Sequence, residues 1–290
     1  MKKYFWILFV IVCCQNQLTA QFNDFTGYKQ IAVSAGLNQF LGDLGGSDQL
    51  GQAHSLRDLD FRSTTFNLKA GYLIELNRWF CSSSFLTYGI FKGNDEFTQE
   101  PSRQNRNLHF RSNYVSLESR MNISLFQPKH KSYKQFSSKK FLSSVYVFSG
   151  LGVTFFNPKA KVDDKWVALQ PIGTEGQGRI PGKTKYHRNT LIIPFGVGAK
   201  YNVNKYWQIG VEATYFKTYS DYIDDVGGTY CSPNLFQNSN EAYLANPALN
   251  ETIDYTGETR GKDGKDSYYN FNVLVYRKLS SNHPIIKYKF

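Results

Sequence analysis

The amino-acid sequence predicts an all-β fold, an eight-stranded antiparallel transmembrane β-barrel with long extracellular loops. Apolar residues alternate with polar ones along eight segments, the spacing that places them on one face of a strand. Several segments run for twelve to fourteen residues, whereas strands in soluble sheets average about 5–6 residues and membrane strands need about 9–11. Tyr and Phe, with 20 and 23 residues, stand out in a hydrophobic content of only 41%, which suits an interface between lipid and water.

Residues 1–20 have the features of a secretory signal peptide. A short basic start precedes an apolar run from Tyr4 to Cys14, and small residues allow cleavage after Ala20. This run is too short to cross a membrane as a helix. A lipoprotein signal is the less favoured alternative, because neither cysteine of the run follows the small residue that such a site needs. We therefore expect residues 21–278 to form an outer-membrane barrel.

The charge of the mature chain narrows the choice of partners. After loss of the signal peptide the net charge is +9, and the basic residues are spread along the chain. Nucleic-acid proteins instead concentrate Lys and Arg on one face or along a groove. We expect no nucleic-acid partner, and an anionic lipid or an acidic protein fits this charge better.

The clearest strand runs from Thr190 to Val203. Its odd-numbered positions are all apolar or aromatic, whereas the even-numbered positions are mostly polar or glycine. Pro194 is unusual in the middle of a strand, and we expect a local bulge there. The other strands are marked by alternation in segments 31–37, 66–74, 86–90, 115–125, 145–156, 207–215 and 269–275, of which 145–156 is apolar on both faces.

The polar faces of these strands favour a barrel over a soluble β-sandwich. A sandwich turns a charged face to water, but here the polar face consists of Gly, Ser, Thr and Asn with a few charges. This composition suits the tightly filled lumen of a small barrel. We expect a polar network in the lumen formed by Lys69, Glu118, Arg120, Lys200 and Glu212.

The lengths of the connections predict the topology. The four long connections, Gly42–Arg62, Gly93–Leu108, Asn157–Arg188 and Ser220–Asp266, alternate with shorter ones near Asn77 and Asn204 and at Gln127–Lys140. Short turns on the periplasmic side and long loops outside are the rule for such barrels. The turn Gln127–Lys140 is longer than this rule allows. It contains Lys129, Lys131, Lys134, Lys139 and Lys140, and forms either a solvated basic loop or a docking loop for a periplasmic partner or inner-leaflet headgroups.

The end of the chain and its two remaining cysteines complete the layout. Residues 279–290 follow the last strand, and we favour a periplasmic tail over an extension of strand pairing. Cys81 falls at the inner rim and Cys231 in the last outer loop. A disulfide requires Cα atoms within about 7 Å, so we expect free thiols.

No catalytic or metal site emerges from the sequence. The five histidines are isolated and lack ligand spacing. The stretch GTEGQG at 173–178 imitates a phosphate-binding loop but lacks the strand-to-helix context. His109 is placed like the histidine of a lipid-modifying barrel at the outer rim, although a rim or lumen hydrogen bond is the favoured role. We expect no cofactor, no metal and no small-molecule substrate.

The segment YSDYIDDVGGTY, from Tyr219 to Tyr230, lies where the seventh strand should leave the membrane. We expect Asp221, Asp224 and Asp225 to be solvated at the outer mouth, which they shape or cap. Gly227 and Gly228 then allow the chain to turn sharply into the last loop.

Seven stretches of the mature chain together resemble the PorG-like outer-membrane barrels of the type IX secretion apparatus. They are FLGDLGGSD (40–48), FLTYG (85–89), RNLHFRSN (106–113), YVFSGLGVTFFNPKA (146–160), LQPIGTEGQG (169–178), VGAKYNVNKYWQIGVEATYFKTYSDYIDDVGGTY (197–230) and DSYYNFNVLVYRK (266–278). The chain departs from the family at GGTYC (227–231), where the family more often has a serine before the glycine and no cysteine.

The resemblance implies a non-enzymatic component of a protein-export machine. Such a barrel would serve as an anchor or assembly partner of a periplasmic ring made of a lipoprotein and its partner, and would support surface attachment or gliding motility. Eight strands leave a lumen filled by side chains, so we expect the barrel not to be the pore. The alternatives are a lipid-modifying enzyme and a generic structural or adhesin barrel.

Overall fold

The computed structural model describes residues 29–44, 61–77, 79–97, 100–126, 141–204, 206–250, 253–261 and 264–279. The predicted signal peptide, the lysines of the Gln127–Lys140 turn and residues 280–290 of the predicted tail lie outside these ranges. The strands are β1 (Lys29–Leu41), β2 (Thr65–Glu75), β3 (Phe80–Asn94), β4 (His109–Phe126), β5 (Phe141–Val162), β6 (Lys165–Ala168), β7 (Asn189–Asn202), β8 (Trp207–Thr218) and β9 (Ser267–Leu279). The helices are α1 (Pro101–Arg106), α2 (Leu169–Ile172) and α3 (Ser239–Ala245), and 3-10 turns occupy Phe61–Ser63, Asp95–Phe97 and Pro233–Leu235.

Eight of these strands close into an antiparallel barrel. Each pairs with its neighbour along the chain, β5 pairs with β7, and β9 returns to pair with β1 along the whole of both strands. The short strand β6 pairs only with the outer end of β5. The predicted eight-stranded transmembrane barrel is therefore confirmed, with β6 as an added hairpin above the wall.

The wall has an apolar outside and a filled inside. Outward-facing apolar side chains are strongly exposed, for example Phe66 at 77% and Leu191 at 66%, whereas inward-facing Phe85 and Tyr276 are at most 1% exposed. This inversion of the usual burial pattern is expected when the solvent of the wall is lipid. Within the described parts of the chain, no helix combines the length and the apolarity needed to cross a membrane.

The two tight turns at the inner end are closed by the same device. The side-chain oxygen of Asn77 accepts the backbone N–H groups of Trp79 and Phe80 at 2.7 and 2.9 Å. Asn204 accepts those of Tyr206 and Trp207, both at 2.9 Å. Asn is favoured in turns because its side chain bonds the backbone two residues on. The tight turns expected from the sequence lie at these positions.

The structure corrects two details of the predicted strands. β5 does not end at Phe156 but continues to Val162, so the first residues assigned to the loop Asn157–Arg188 belong to the wall. The bulge expected at Pro194 is absent, since β7 keeps one register with β5 on both sides of it, and the register shift of this pair lies instead between Leu142 and Ser144. Pro194 lacks an N–H, and the ladder omits only the pairs around it.

The described parts of the four long connections, 42–44, 95–108, 163–188 and 219–266, form what we call the outer cap. A buried apolar cluster joins the cap to the wall, with Leu44, Leu108, Ile223 and Val226 packed against inward-facing aromatic residues of the strands. A second cluster, which includes Ala160 and Leu169, holds α2 and α3 beside the hairpin of β5 and β6. Burial of this apolar surface fixes the cap over the mouth.

Candidate functional site

Four of the five charges predicted for the lumen form one ion-pair chain in the middle of the barrel. Arg120 holds Glu212 through two hydrogen bonds of 2.7 and 2.8 Å. Glu118 lies 3.8 Å from Arg120 and 3.1 Å from Lys69. All four side chains are at most 1% exposed. Buried charges are tolerated when each is paired in this way.

Aromatic rings enclose this lumen network. The guanidinium carbon of Arg120 lies 4.2 Å from the ring centre of Phe85 and 4.0 Å from that of Phe148. Tyr146 donates its hydroxyl to Glu212 at 2.6 Å. The fifth predicted residue, Lys200, makes no ion pair in the described structure but lies over the rings of Tyr146 and Tyr276, 5.3 and 4.6 Å from their centres. Cation–π contacts of this kind stabilise a desolvated charge.

Glycines on β7 leave room for the rings. A Cβ at Gly198 would lie 2.5 Å from Cζ of Tyr146, and a Cβ at Gly196 would lie 2.3 Å from Cζ of Phe148. Neither position tolerates a side chain without moving the ring. The inward position of Tyr146 and Phe148 was not predicted from the sequence, because segment 145–156 is apolar on both faces and could not be phased.

Above the lumen network, stacked aromatic rings fill the upper barrel. Phe91 stacks on Tyr114 with ring centres 4.0 Å apart, and Phe216 stacks on Tyr268 at 4.4 Å. Phe40 completes this group, and all five side chains are at most 1% exposed. The lumen is therefore filled by charges at mid-height and by aromatic rings below the outer cap.

The aspartates of the mouth motif are not solvated, contrary to the expectation from the sequence. Asp224 and Asp225 are both 0% exposed, and only Asp221 is partly exposed. The carboxylate of Asp224 accepts the backbone N–H groups of Leu44 at 3.0 Å and Val226 at 3.1 Å. Asp224 therefore links the first long connection to the last one through buried hydrogen bonds, instead of being hydrated at the mouth.

Asp225 is part of a buried cluster centred on Arg260. Nη1 of Arg260 lies 3.6 Å from the Asp225 carboxylate and 3.5 Å from that of Glu175. It also donates to the backbone carbonyl of Asp225 at 2.7 Å. Thr174 and Tyr186 donate hydrogen bonds from their hydroxyl groups to the Asp225 carboxylate. Burial raises the pKa of Asp225 to about 6, and the opposing effect of Arg260 keeps it from rising further.

Glu175 explains the two glycines of the motif. Its Oε1 accepts the N–H groups of Gly227 and Gly228 at 3.1 and 3.0 Å. A Cβ at Gly228 would lie 2.6 Å from Oε2 of Glu175. Neither glycine has a positive φ, whereas Asp225 does, at 70°. The lack of a Cβ therefore allows close approach of the Glu175 carboxylate at Gly228 and of the Asp221 backbone carbonyl at Gly227, rather than the sharp turn expected from the sequence. The GTEGQG stretch, which resembled an anion-binding loop, supplies a buried anion instead.

Two more acidic residues, Asp43 and Asp266, face Asp224 inside the cap. Burial raises the pKa of Asp224 well above its usual range, and the charge of Asp43 raises it further. Burial, followed by the charge of Asp224, raises the pKa of Asp266 well above its usual range. The Asp266 carboxylate accepts the N–H of Ile223 at 2.8 Å. Like charges in one buried site favour the protonated form. No local pattern in the sequence indicated this cluster, because Asp43 belongs to the first long connection, whereas Asp224 and Asp266 stand near opposite ends of the last one.

A third set of contacts in the outer cap is made by Arg106 of α1. Arg106 grips Asp95 at 2.6 and 2.8 Å and donates to the carbonyls of Asp43 and Arg260, both at 2.8 Å. Bidentate Arg–carboxylate pairs are among the stronger polar contacts. Arg106 therefore links three of the four long connections. Together with the clusters around Arg260 and Asp224, it makes the outer cap one connected polar unit.

The residues considered for chemistry have structural contacts. Nε2 of His109 accepts the backbone N–H of Lys161 at 2.9 Å, the rim hydrogen bond favoured above. Cys81 and Cys231 are free and buried, so the expectation of free thiols is confirmed. Within the described ranges, no three His, Cys, Asp or Glu residues are grouped so as to hold a metal ion.

Comparison with known proteins yields structures only. No protein-family profile and no curated protein matches the chain. Ail of Yersinia pestis is similar over 87% of this chain and 99% of its own, with 10% identity and a TM-score of 0.38. OprG of Pseudomonas aeruginosa is similar over 89% and 98%, with 8% identity and a TM-score of 0.39. Neisserial surface protein A is similar over 88% and 98%, with 8% identity and a TM-score of 0.36. Identities this low carry no information on ligands or activity, and TM-scores below 0.5 describe a loose overall superposition.

Proposed function

We propose that this protein is an outer-membrane barrel component of a type IX secretion machine, which it serves as a non-enzymatic anchor or assembly partner of the periplasmic ring. The specific machine is inferred from the sequence resemblance to PorG-like barrels. The filled lumen is the observation that carries the second part of the proposal, namely that the barrel is an anchor and not the conduit for cargo.

The packing of the interior supports an anchoring role. Arg120 and Glu212 cross-brace the middle of the barrel with side chains at most 1% exposed. The aromatic group around Phe91 and Tyr268 lies above them, and the outer cap covers the mouth. A cargo polypeptide would have to displace paired charges, which costs several kcal/mol for each ion left unpaired. A fixed interior is compatible with docking at the rim or outer wall.

The inner side of the barrel is the expected docking side. The lysine-rich turn Gln127–Lys140 joins β4 to β5 at the end where Asn77 and Asn204 close the other short turns. Its lysines lie outside the described residues, so their role rests on sequence. Clustered positive charge steers an acidic partner and raises the association rate.

A clean deletion strain tests the role in secretion. Cargo with the dedicated C-terminal signal is expected to accumulate in the periplasm, whereas detergent sensitivity should stay at the wild-type level, because an anchor is not needed for barrier function. Normal cargo secretion in the deletion strain would refute the proposal. General leakage of periplasmic enzymes would point instead to a structural barrel.

Charge reversal in the turn tests the docking side. Changing Lys129, Lys131 and Lys134 to Glu is expected to weaken recovery of the ring proteins in a pull-down from native membranes. The matched control changes Lys29, Lys217 and Arg277, three exposed cations of the outer wall, to Glu. Equal recovery with both triple variants would make the turn a solvated loop and leave the docking surface elsewhere.

A further inference from the structure

Lys200 carries a buried charge that no acidic side chain of the described structure neutralises. The residue is 7% exposed, and its Nζ lies over the rings of Tyr146 and Tyr276. Both tyrosine hydroxyls donate to Glu212, which is already paired with Arg120. The rings stabilise the lysine charge but have no net charge themselves, so they offset only part of the cost of burying a cation.

Asn202 adds an unused hydrogen-bond donor beside Lys200. The two residues are two positions apart on the inward face of β7, so their Cα atoms lie about 7 Å from each other. Oδ1 of Asn202 accepts hydrogen bonds from Gln208 at 2.6 Å and Lys278 at 3.4 Å, and these two donors fix the orientation of the amide. Its Nδ2 is buried and donates to no atom of the described structure. Buried donors without a partner are rare in native proteins, and one beside a buried cation indicates a place for an anion.

The charge at the inner end of the barrel also favours an anion. The connection Gln127–Lys140 contains five lysines and neither Asp nor Glu. The two tight turns add Arg78 and Lys205. Among the described residues at this end, Glu75 supplies one negative charge, and it accepts a hydrogen bond from Gln30 at 2.6 Å. An excess of positive charge around an opening raises the local concentration of anions.

We propose that Lys200 and Asn202 form a binding site for a small monovalent anion at the inner end of the lumen. Lys200 supplies the opposite charge, and the amide N–H of Asn202 supplies a directed hydrogen bond. The packing limits the size of the anion, because Asn202 and Gln208 are each only 2% exposed and the rings of Tyr146 and Tyr276 cover the other side. The site lies inside the barrel, and the proposal is independent of the role in secretion.

Chloride is the probe for this site. The purified mature protein in phosphatidylcholine bilayers is unfolded with urea at constant ionic strength, while gluconate, which is too bulky for the site, is replaced by chloride. A ligand that binds only the folded state stabilises it as the ligand concentration rises, so the urea midpoint should increase with chloride. Lys200→Gln removes the charge and should weaken chloride binding by about tenfold or more. A wild-type midpoint that does not respond to chloride would overturn the proposal.

Lys29→Gln is the matched control. Lys29 is an exposed cation at the inner end of β1 and faces away from the lumen. Its replacement should leave the response to chloride unchanged. An equal loss of the response in Lys29→Gln and Lys200→Gln would show that chloride acts by screening the surface charge, and the proposal would then be wrong.

A second variant places the anion on the protein itself. Asn202→Asp keeps the oxygen that accepts from Gln208 and Lys278, and it replaces the unused donor with a carboxylate oxygen. In chloride-free buffer this variant should unfold at a higher urea concentration than the wild type, and chloride should not stabilise it further. Adding Lys200→Gln to Asn202→Asp should remove the gain. An Asn202→Asp protein that is less stable than the wild type without chloride, or that keeps the wild-type response to chloride, would contradict the proposal.

Discussion

Replacing Arg260 with Gln tests how the outer cap is held. The side chain is 2% exposed, and its Nη1 lies 3.5 Å from the Glu175 carboxylate and 3.6 Å from that of Asp225. At an effective dielectric constant of about 20, each pair contributes about 5 kcal/mol before desolvation. Burial of the guanidinium offsets much of this sum. Loss of one partner of a buried pair typically costs about 3–5 kcal/mol, because the other charge stays buried.

This cost should appear as local opening of the cap. A change of about 3–5 kcal/mol raises the open population between about one hundred and a few thousand times. Hydrogen exchange in residues 173–188 and 220–261 is the appropriate assay, because it reports local opening free energies. The barrel strands should keep wild-type protection, since their ladders do not depend on Arg260.

Lys161→Gln provides the control for this experiment. Lys161 pairs with Asp164 at 2.5 Å, but the two side chains are 46% and 92% exposed, and exposed pairs contribute about 0–1 kcal/mol. Exchange in the cap should barely change in this variant. Cap exchange at the wild-type level in Arg260→Gln, or equal acceleration in both variants, would show that Arg260 does not hold the cap closed.

Three further predictions concern the lumen and the cap. Glu212→Gln leaves a buried cation without its main partner, and we expect about 3–5 kcal/mol lower stability of the barrel in urea unfolding in lipid. Gly228→Ala places a Cβ 2.6 Å from Oε2 of Glu175 and should weaken cap protection by about 1–3 kcal/mol, whereas Thr229→Ala at the exposed neighbour should not. The raised pKa of Asp225, about 6, means that the closed cap binds a proton more tightly than the open cap does. The stability that Asp225 contributes to the closed cap is therefore present at low pH and is lost as pH rises through about 6. The cap should accordingly resist proteolysis better at pH 5 than at pH 7.5.

The sequence predicted the wall well because lipid imposes a strict alternation on it. Period-two spacing placed Lys69, Glu118 and Arg120 on the inner face, and the structure brings them together there. The same signal failed at the outer end of β5. Beyond the membrane the outward face is polar, as in Asn157 and Lys159, so apolar spacing no longer marks the strand.

The outer cap escaped prediction for a different reason. Burial of Asp224 depends on Leu44, 180 residues away in the chain, and Arg260 meets Thr174 across 86 residues. Local sequence suggests solvated acidic loops, because isolated carboxylates belong in water. Water is excluded from Asp224 and Arg260 only because several long connections pack against the aromatic group of the lumen. Long-range packing of this kind leaves no periodic signal in the sequence.

Affinity purification from native outer membranes, followed by quantitative mass spectrometry, tests the central claim most directly. The tagged wild-type protein is expected to recover the periplasmic ring lipoprotein and its partner in amounts comparable to its own. A tagged small barrel of unrelated sequence should recover neither. Recovery of the protein with lipid alone, or with the same background as the unrelated barrel, would contradict the claim that it anchors the secretion machine.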